Sequence, residues 1–142
     1  MSDLAFYSEE EFSDALSDLI STLLVHKAIC PVDRPRGILL GGQSGAGKST
    51  LHMVYKRELA NNVIVINGDE YRSAHPRFAQ IQREFGIAAP AHTAKWAGAM
   101  VEALVDALSG EHYNLIIEGT LRTSAVPMKT AALLRERGYS VD

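Results

Sequence analysis

The sequence lacks most features that mark secreted, membrane-spanning or nucleic-acid-binding proteins. Its 142 residues include one cysteine, Cys30, so no intramolecular disulfide can form. The acidic start, MSDLAFYSEEEF, differs from a secretory signal, and no apolar run approaches the roughly 20 residues of a membrane-spanning helix. Lys and Arg number 14 against 17 Asp and Glu, whereas binding to a phosphate backbone needs a basic face. These absences predict a cytoplasmic protein with neither a membrane nor a nucleic acid as partner.

The chain does contain an alternation of strand-like and helix-like segments. Its length indicates a single domain, residues 1–142. An opening helix is predicted over residues 8–25, where Ser8 and Glu11 have the spacing of a capping box. The runs ILL, NNVIVINGD, YNLIIEGT and YSVD then predict short strands, and helical periodicity separates them. Strands that alternate with helices predict an α/β fold with a mainly parallel sheet.

The longest predicted helix, residues 92–109, has one continuous apolar stripe. Because the stripe follows helical spacing, it predicts a core-facing surface and not a cofactor site. Its members are Trp96, Ala97, Met100, Val101, Leu104 and Leu108. Glu102 lies well away from the stripe's centre, which alone predicts a solvated side chain. Three histidines, His75, His92 and His112, lack metal-ligand spacing and are expected at the surface or in loops.

Residues 42–49, GQSGAGKS, match the phosphate-loop pattern G-x-x-x-x-G-K-[ST] at every fixed position. Glycines let backbone N–H groups surround a phosphate, and the following helix presents its positive N-terminal end. The lysine reaches the β- and γ-phosphates, and the serine hydroxyl binds Mg²⁺. The pattern predicts a P-loop NTPase or kinase-like fold of three layers, with residues 37–142 as the nucleotide-binding core. The residues predicted to bind a nucleoside triphosphate are Gly42, Gln43, Ser44, Gly45, Ala46, Gly47, Lys48, Ser49 and Thr50.

Polar residues follow the next two predicted strands at the sheet edge where ligands bind in such folds. Asp69 comes shortly after one strand, and Glu118 ends an aliphatic run in the other, as in a Walker B segment. We interpret Glu118 as a metal ligand beside Ser49, and Asp69 as the base that accepts a hydroxyl proton. Each acid has the alternative of an ordinary turn or cap residue. Arg72 and Arg122 either clamp an anionic substrate or are solvated arginines.

Three blocks of the sequence resemble the zeta toxins of bacterial toxin–antitoxin systems. These are LLGGQSGAGKST, VIVINGDEYRSAHP and YNLIIEGTLRT-x-x-VP, in the family's order and spacing. The resemblance implies a kinase that uses ATP and Mg²⁺ to phosphorylate the 3′-hydroxyl of the amino sugar in UDP-N-acetylglucosamine, which poisons cell-wall synthesis. It also implies a small helical epsilon-type antitoxin that covers the nucleotide site.

The family's functional residues carry over by position. Lys48, Ser49 and Glu118 correspond to the ATP and metal site, and Asp69 corresponds to the catalytic base. The resemblance further implies that the UDP-sugar is contacted by Glu102, Thr120 and Arg122. It thereby gives Glu102 a role that its helical position alone does not predict. We also count Asp69 and Arg72 among the predicted substrate-binding residues.

Two departures from the family pattern set the alternatives. Ala125 stands before VP, where many members have Asp. Family members also continue into a lid with arginines that clamp ATP. The resemblance therefore implies that residues 1–142 are an N-terminal part or a short form, and we expect very weak or absent turnover from them alone. The alternatives are another small-molecule phosphotransferase on this scaffold, or a non-catalytic module that binds nucleotide or antitoxin.

Overall fold

The computed structural model describes residues 4–26, 28–40, 48–118 and 125–142, without the side chains of residues 48, 49 and 125–127. The α-helices are α1 (Glu9–Leu23), α2 (Lys48–Glu58), α3 (Phe78–Phe85), α4 (Ala89–Gly110) and α5 (Ala125–Glu136). The strands are β1 (Arg36–Leu40), β2 (Ile64–Asn67), β3 (Leu115–Glu118) and β4 (Ser140–Val141). Two 3₁₀ segments, η1 (Gly68–Ala74) and η2 (Gly86–Ala88), flank α3. Every strand and long helix predicted from the sequence is therefore confirmed, with shifts of a few residues at the ends.

The four strands form one sheet in the order β2-β3-β1-β4, and all neighbouring pairs are parallel. Successive residues of β3 point to opposite faces, since Ile116 packs in one apolar cluster while Leu115 and Ile117 pack in the other. A parallel sheet buried on both faces accounts for the unbroken aliphatic runs of its central strands. The predicted α/β class with a parallel sheet is confirmed.

Helices lie on both faces of the sheet. The larger cluster joins strand residues with α4 through Trp96, Met100 and Leu104, and α1 and α5 pack on the same side. The smaller cluster joins β1, β3 and Val63 with Tyr55 of α2. The predicted apolar stripe of α4 faces the core as expected, although Val101 is only half-buried and Val105 is buried beside the stripe.

Helix α1 begins with the capping box that the sequence predicts. The Ser8 N–H donates to Glu11 Oε1 at 2.9 Å, and the Glu11 N–H donates to Ser8 Oγ at 3.1 Å. The bond from the Ser8 backbone lowers the pKa of Glu11, because it stabilises the carboxylate form. This helix packs across α4, so the N-terminal segment is joined to the core.

Gly37 marks a close approach of α5 to β1. A Cβ at this position would lie 2.7 Å from Leu134 Cδ1, so the Leu134 side chain would have to shift to accommodate alanine. Helix α5 ends at Glu136, and Gly138 follows two positions later with a φ of 90°, which is suited to glycine. Among the described residues, no helix combines the length and apolarity needed to cross a membrane.

His75 lies in the loop between η1 and α3, as one of the two expectations has it, but it is not at the surface, because the residue is 3% exposed. Its Nδ1 accepts from the Arg77 N–H at 3.1 Å, and its Nε2 lies 3.0 Å from the Ala5 carbonyl oxygen. The ring also packs edge-on against Trp96. His75 is therefore a hydrogen-bonded core histidine that holds the N-terminal segment.

Candidate functional site

The carboxyl ends of three strands meet in one row of the sheet. Leu40 of β1 pairs with Glu118 of β3, and Glu118 pairs with Asn67 of β2. Leu40 immediately precedes the glycine-rich segment, and Asn67 precedes η1 with Asp69. The topology thus places Leu40, the last described residue before the predicted phosphate-loop segment, beside Glu118, at the edge where parallel α/β sheets bind ligands.

The Glu118 carboxylate is held by two side chains. Its Oε1 accepts from Asn67 Nδ2 at 2.9 Å, and its Oε2 contacts His52 Nε2 of α2. Neither Oε2 nor His52 Nε2 forms a hydrogen bond within the described part of the chain, and both atoms are buried. The whole carboxylate side chain is only 13% exposed. Glu118 therefore enters the site from a fixed position.

Asn67 connects the two acids that the sequence singles out. While its Nδ2 donates to Glu118, its Oδ1 accepts from the Asp69 N–H at 3.0 Å and caps η1. A polar cap at this point lets the chain turn sharply after β2, because it satisfies a backbone donor at the start of the 3₁₀ segment. One side-chain amide thus contacts the carboxylate of Glu118 and the backbone of Asp69.

Asp69 itself is open to solvent, with 61% of its side chain exposed. Its Oδ1 lies 3.5 Å from Arg72 Nε, one 3₁₀ turn along η1. Arg72 is in turn anchored to the first turns of α4, where its Nη1 donates to the Pro90 carbonyl at 2.6 Å and to Thr93 Oγ1 at 3.2 Å. This arrangement leaves Asp69 accessible while the cation beside it is held in place.

The core beneath η1 is aromatic. Tyr71 is buried, and Trp96 Nε1 donates to the Tyr71 carbonyl oxygen at 3.0 Å. Burial raises the pKa of Tyr71 to about 12, because the phenolate would lose its hydration. The phenol therefore stays neutral at physiological pH. The 3₁₀ segment that carries Asp69 is thus fixed on the apolar core by the hydrogen bond from Trp96.

Glu102 lies on the solvent side of α4, as its helical position predicts. Its Oε1 is 3.5 Å from Lys129 Nζ of α5, and the two side chains are 66% and 80% exposed. The preceding residue, Val101, approaches the start of η1 so closely that a Cβ at Gly68 would lie 3.0 Å from Val101 Cγ2. Glu102 is therefore carried by the part of α4 that packs against η1.

Part of the predicted site lies outside the described residues. This holds for Gly42 to Gly47 and for the acceptor-side residues Thr120 and Arg122, and also for the side chains of Lys48 and Ser49. Thr50 is exposed in the first turn of α2. The roles assigned to all these residues stay predictions.

The donors at this edge suit Mg²⁺. Among residues 4–26, 28–40, 48–118 and 125–142, no group of three or more His, Cys, Asp or Glu side chains is arranged to hold a metal ion. Mg²⁺ does not need such a cage, because it is usually bound by one or two carboxylates together with substrate phosphates and water. The buried Oε2 of Glu118, which has no hydrogen bond, is an oxygen donor of this kind.

Sequence reasoning missed His52, Asn67 and Lys129. A contact between α2 and β3 has no local pattern, so the only hint for His52 was its place on the phosphate-loop helix, one turn after Lys48. Asn67 had a clearer signal, since an Asn before Gly-Asp at a strand end is typical of a cap. Lys129 had none.

Comparisons with known proteins bear on the family and the fold of this chain. Residues 21–142 match the family model described as Zeta toxin. The chain is 47% identical over 135 residues to Toxin PezT of Streptococcus pneumoniae serotype 4, covering 95% of this chain and 53% of that protein. It is 35% identical over 139 residues to Toxin zeta of Streptococcus pyogenes, covering 98% of this chain and 48% of that protein.

The fold is also similar to a solved structure from the characterization of the PezAT chromosomal toxin–antitoxin system of Streptococcus pneumoniae. The TM-score is 0.92 at 44% sequence identity, covering 99% of this chain and 57% of that chain. This likeness confirms the predicted P-loop kinase-like fold. The chain spans about half the length of the curated relatives it matches, as the shares of 53% and 48% show.

Proposed function

Because this chain belongs to the zeta toxin family, we propose that the protein transfers the γ-phosphate of ATP to the 3′-hydroxyl of the amino sugar in UDP-N-acetylglucosamine. One observation carries most of the argument. The strand end that leads into G-x-x-x-x-G-K-S lies in register with Glu118, and Asn67 joins Glu118 to the turn with Asp69. A phosphate-binding segment and two acids at one sheet edge are the parts that phosphoryl transfer needs.

Asp69 acts as the base in this proposal. As the sugar oxygen forms its bond to the γ-phosphorus, the bond from that phosphorus to the β–γ bridging oxygen breaks and ADP leaves. The hydroxyl proton passes to the Asp69 carboxylate. Its 61% exposure supports the assignment, because a base must come within hydrogen-bond reach of a bound substrate.

The nucleotide side is assigned to the phosphate loop, with Lys48 on the β- and γ-phosphates. Ser49 and Glu118 are the residues that would hold Mg²⁺. When bound, this ion would neutralise charge on the phosphate oxygens. The buried Glu118 oxygen without a hydrogen bond supports the assignment.

The acceptor side is assigned to Glu102, Thr120 and Arg122, with Arg72 next to Asp69. Lys129 lies beside Glu102, so a hydroxyl or phosphate group bound there would meet both signs of charge. In cells, phosphorylation of the UDP-sugar would block cell-wall synthesis. A small helical antitoxin that covers the nucleotide site is the proposed partner, and the similarity to a structure from a toxin–antitoxin system supports this choice.

The proposal is tested with the protein as its gene encodes it, incubated with ATP, Mg²⁺ and UDP-N-acetylglucosamine. We expect sugar-dependent ADP release and a product heavier by one phosphoryl group in mass spectrometry. Replacement of the base, Asp69→Asn, should lower kcat by about 10²- to 10⁴-fold, the usual contribution of general base catalysis. It should leave ATP binding nearly unchanged.

Asp33→Asn is the matched control, because this exposed acid precedes β1 at the opposite edge of the sheet and should keep full activity. ADP release with an antibiotic or another small alcohol, and none with the UDP-sugar, would instead indicate a different phosphotransferase. Nucleotide binding without any turnover would indicate a non-catalytic module.

A further inference from the structure

We propose that His52 and Asn67 are positioning residues that together fix the Glu118 carboxylate for the metal–nucleotide site, an inference that rests on the proposed function. The two side chains approach Glu118 from different elements. Asn67 ends β2 and donates to Oε1 at 2.9 Å, whereas His52 lies on α2 and contacts Oε2. The carboxylate is thereby held from a neighbouring strand and from a helix.

Two partners restrict the orientation of the Glu118 carboxylate more than a single partner would. A carboxylate has about four acceptor sites on its two oxygens. A single donor would leave the group free to turn about its terminal bond, whereas a contact at each oxygen fixes its plane. Acceptor sites remain on both oxygens, so the Glu118 carboxylate can still bind a cation or a water molecule of its hydration shell.

The contact between Glu118 and His52 is also shielded from solvent. The side chains of Glu118 and His52 are 13% and 22% exposed, and the atoms that face each other are buried. A charged group in such surroundings interacts strongly with its partners, because little water screens them. A contact of this kind at the surface would have little influence on the orientation of the acid.

His52 further connects the acid to the phosphate-binding helix. It lies four positions after Lys48 in α2, so the two residues are on the same side of the helix, one turn apart. Asn67 makes the corresponding connection on the other side, since its Oδ1 caps the turn with Asp69. The contacts of His52 and Asn67 with Glu118 therefore connect the helix proposed to bind the nucleotide with the turn proposed to accept the proton.

A metal-binding titration tests the role of His52. The probe is a nonhydrolysable ATP analogue, and the measured quantity is the Mg²⁺ concentration that gives half of the metal-dependent gain in its binding. Loss of a side chain that orients a metal ligand typically costs about 10- to 100-fold in metal affinity, so we expect this concentration to rise by that factor in His52→Ala. Affinity for the analogue without Mg²⁺ should stay within about 3-fold of the original protein, since it depends on the phosphate loop and not on Glu118.

Three further variants separate positioning from a structural role. His52→Gln supplies an N–H donor in a similar place and should restore the Mg²⁺ response to within about 3-fold, because it renews the contact that orients the Glu118 carboxylate. His52→Leu fills the space without a polar group and should behave like the alanine variant, which keeps the test available if that variant unfolds. Met53→Ala, on the same helix and 63% exposed in the original residue, should change nothing.

Asn67 is tested with Asn67→Ser, which keeps a capping oxygen for η1 but is too short to reach Glu118. We expect it to weaken the Mg²⁺ response while the thermal unfolding midpoint without metal changes little. In the double variant His52→Ala with Glu118→Gln, the histidine change should have no further effect on the Mg²⁺ response.

The outcomes distinguish this inference from the proposed function. If the original protein binds the analogue with a clear Mg²⁺ dependence and His52→Ala and His52→Leu show the same dependence, the inference alone is wrong. It is also wrong if His52→Gln is as impaired as His52→Leu. If the original protein shows no Mg²⁺ dependence, the inference and the metal part of the proposed function fail together.

Discussion

Two acids at the same sheet edge are held in opposite ways. Glu118 ends a central strand, is 13% exposed and has a side-chain partner at each carboxylate oxygen. Asp69 lies in a 3₁₀ segment, is 61% exposed and has one long contact to Arg72. The difference corresponds to the two proposed tasks. A metal-site acid benefits from a fixed orientation, whereas a base must be within reach of a substrate that enters and leaves.

The supports beneath the two acids differ as well. Glu118 is fixed by polar contacts from β2 and α2, within the sheet edge itself. Asp69 depends on η1, which rests on α4 through the Trp96 hydrogen bond and the Arg72 anchor. Changes in α4 should therefore affect Asp69 more than Glu118.

The largest effect is expected at Trp96, which is 1% exposed. Its ring packs edge-on against Tyr7 and Phe12, with centroids 4.9 Å and 5.4 Å away. Trp96→Ala should lower the free energy of unfolding by about 3–5 kcal/mol, the usual cost of removing a buried large aromatic side chain. Urea denaturation measures this change.

Trp96→Phe sharpens the result, because it keeps an aromatic ring but leaves the Tyr71 carbonyl without its donor. The expected cost is about 1–3 kcal/mol, with kcat lowered and the Mg²⁺ response of nucleotide binding unchanged. Met128→Ala, at a residue 69% exposed, is the control and should stay within about 0.5 kcal/mol. If Trp96→Phe weakened the Mg²⁺ response as strongly as it lowered kcat, Asp69 and Glu118 would not be supported independently of each other.

The next effect compares truncation of the acids themselves. Glu118→Ala leaves the Asn67 amide without its acceptor and removes the carboxylate that contacts the buried His52 Nε2, which should cost about 1–3 kcal/mol of unfolding free energy. Asp69→Ala removes an exposed side chain and should cost no more than about 0.5 kcal/mol. Both changes should abolish most activity, so stability and not turnover separates the acids. Equal stability losses would mean that Glu118 is no more firmly held than Asp69.

The sequence was sufficient for the elements and for the edge where the acids meet. Aliphatic runs, glycines and the Ser8–Glu11 pair are local patterns, and parallel pairing then brings the strand ends together whatever the details of packing. The contacts that orient the acids were not predictable in the same way. His52 and Glu118 are 66 positions apart, and their meeting depends on how α2 lies on the sheet.

His75 is a second case in which contacts between distant residues could not be predicted from the sequence. Its lack of metal-ligand spacing suggested a surface or loop position. It does lie in a loop, yet tertiary packing buries it beside Trp96. A single buried polar residue has no periodic pattern, because its burial is decided by the partners that satisfy its hydrogen bonds. For this histidine those partners are Arg77 and the chain before α1.

An effect smaller than those at Trp96 and Glu118 is expected at Arg72, where two interpretations predict different results. Its guanidinium donates to the Pro90 carbonyl and to Thr93, and its side chain is 21% exposed. If it anchors η1 to α4, Arg72→Ala should cost about 1–2 kcal/mol of unfolding free energy, the scale of one charge-assisted hydrogen bond, and should lower kcat with little change in KM. Arg72→Lys keeps the charge but not the forked geometry, so it should restore only part of the unfolding free energy and part of kcat. Arg83→Ala, at an exposed arginine of α3, is the control and should change neither. A raised KM for the UDP-sugar in Arg72→Ala, with unchanged stability, would instead assign Arg72 to the substrate, and Asp69 would then lack the anchor proposed for it.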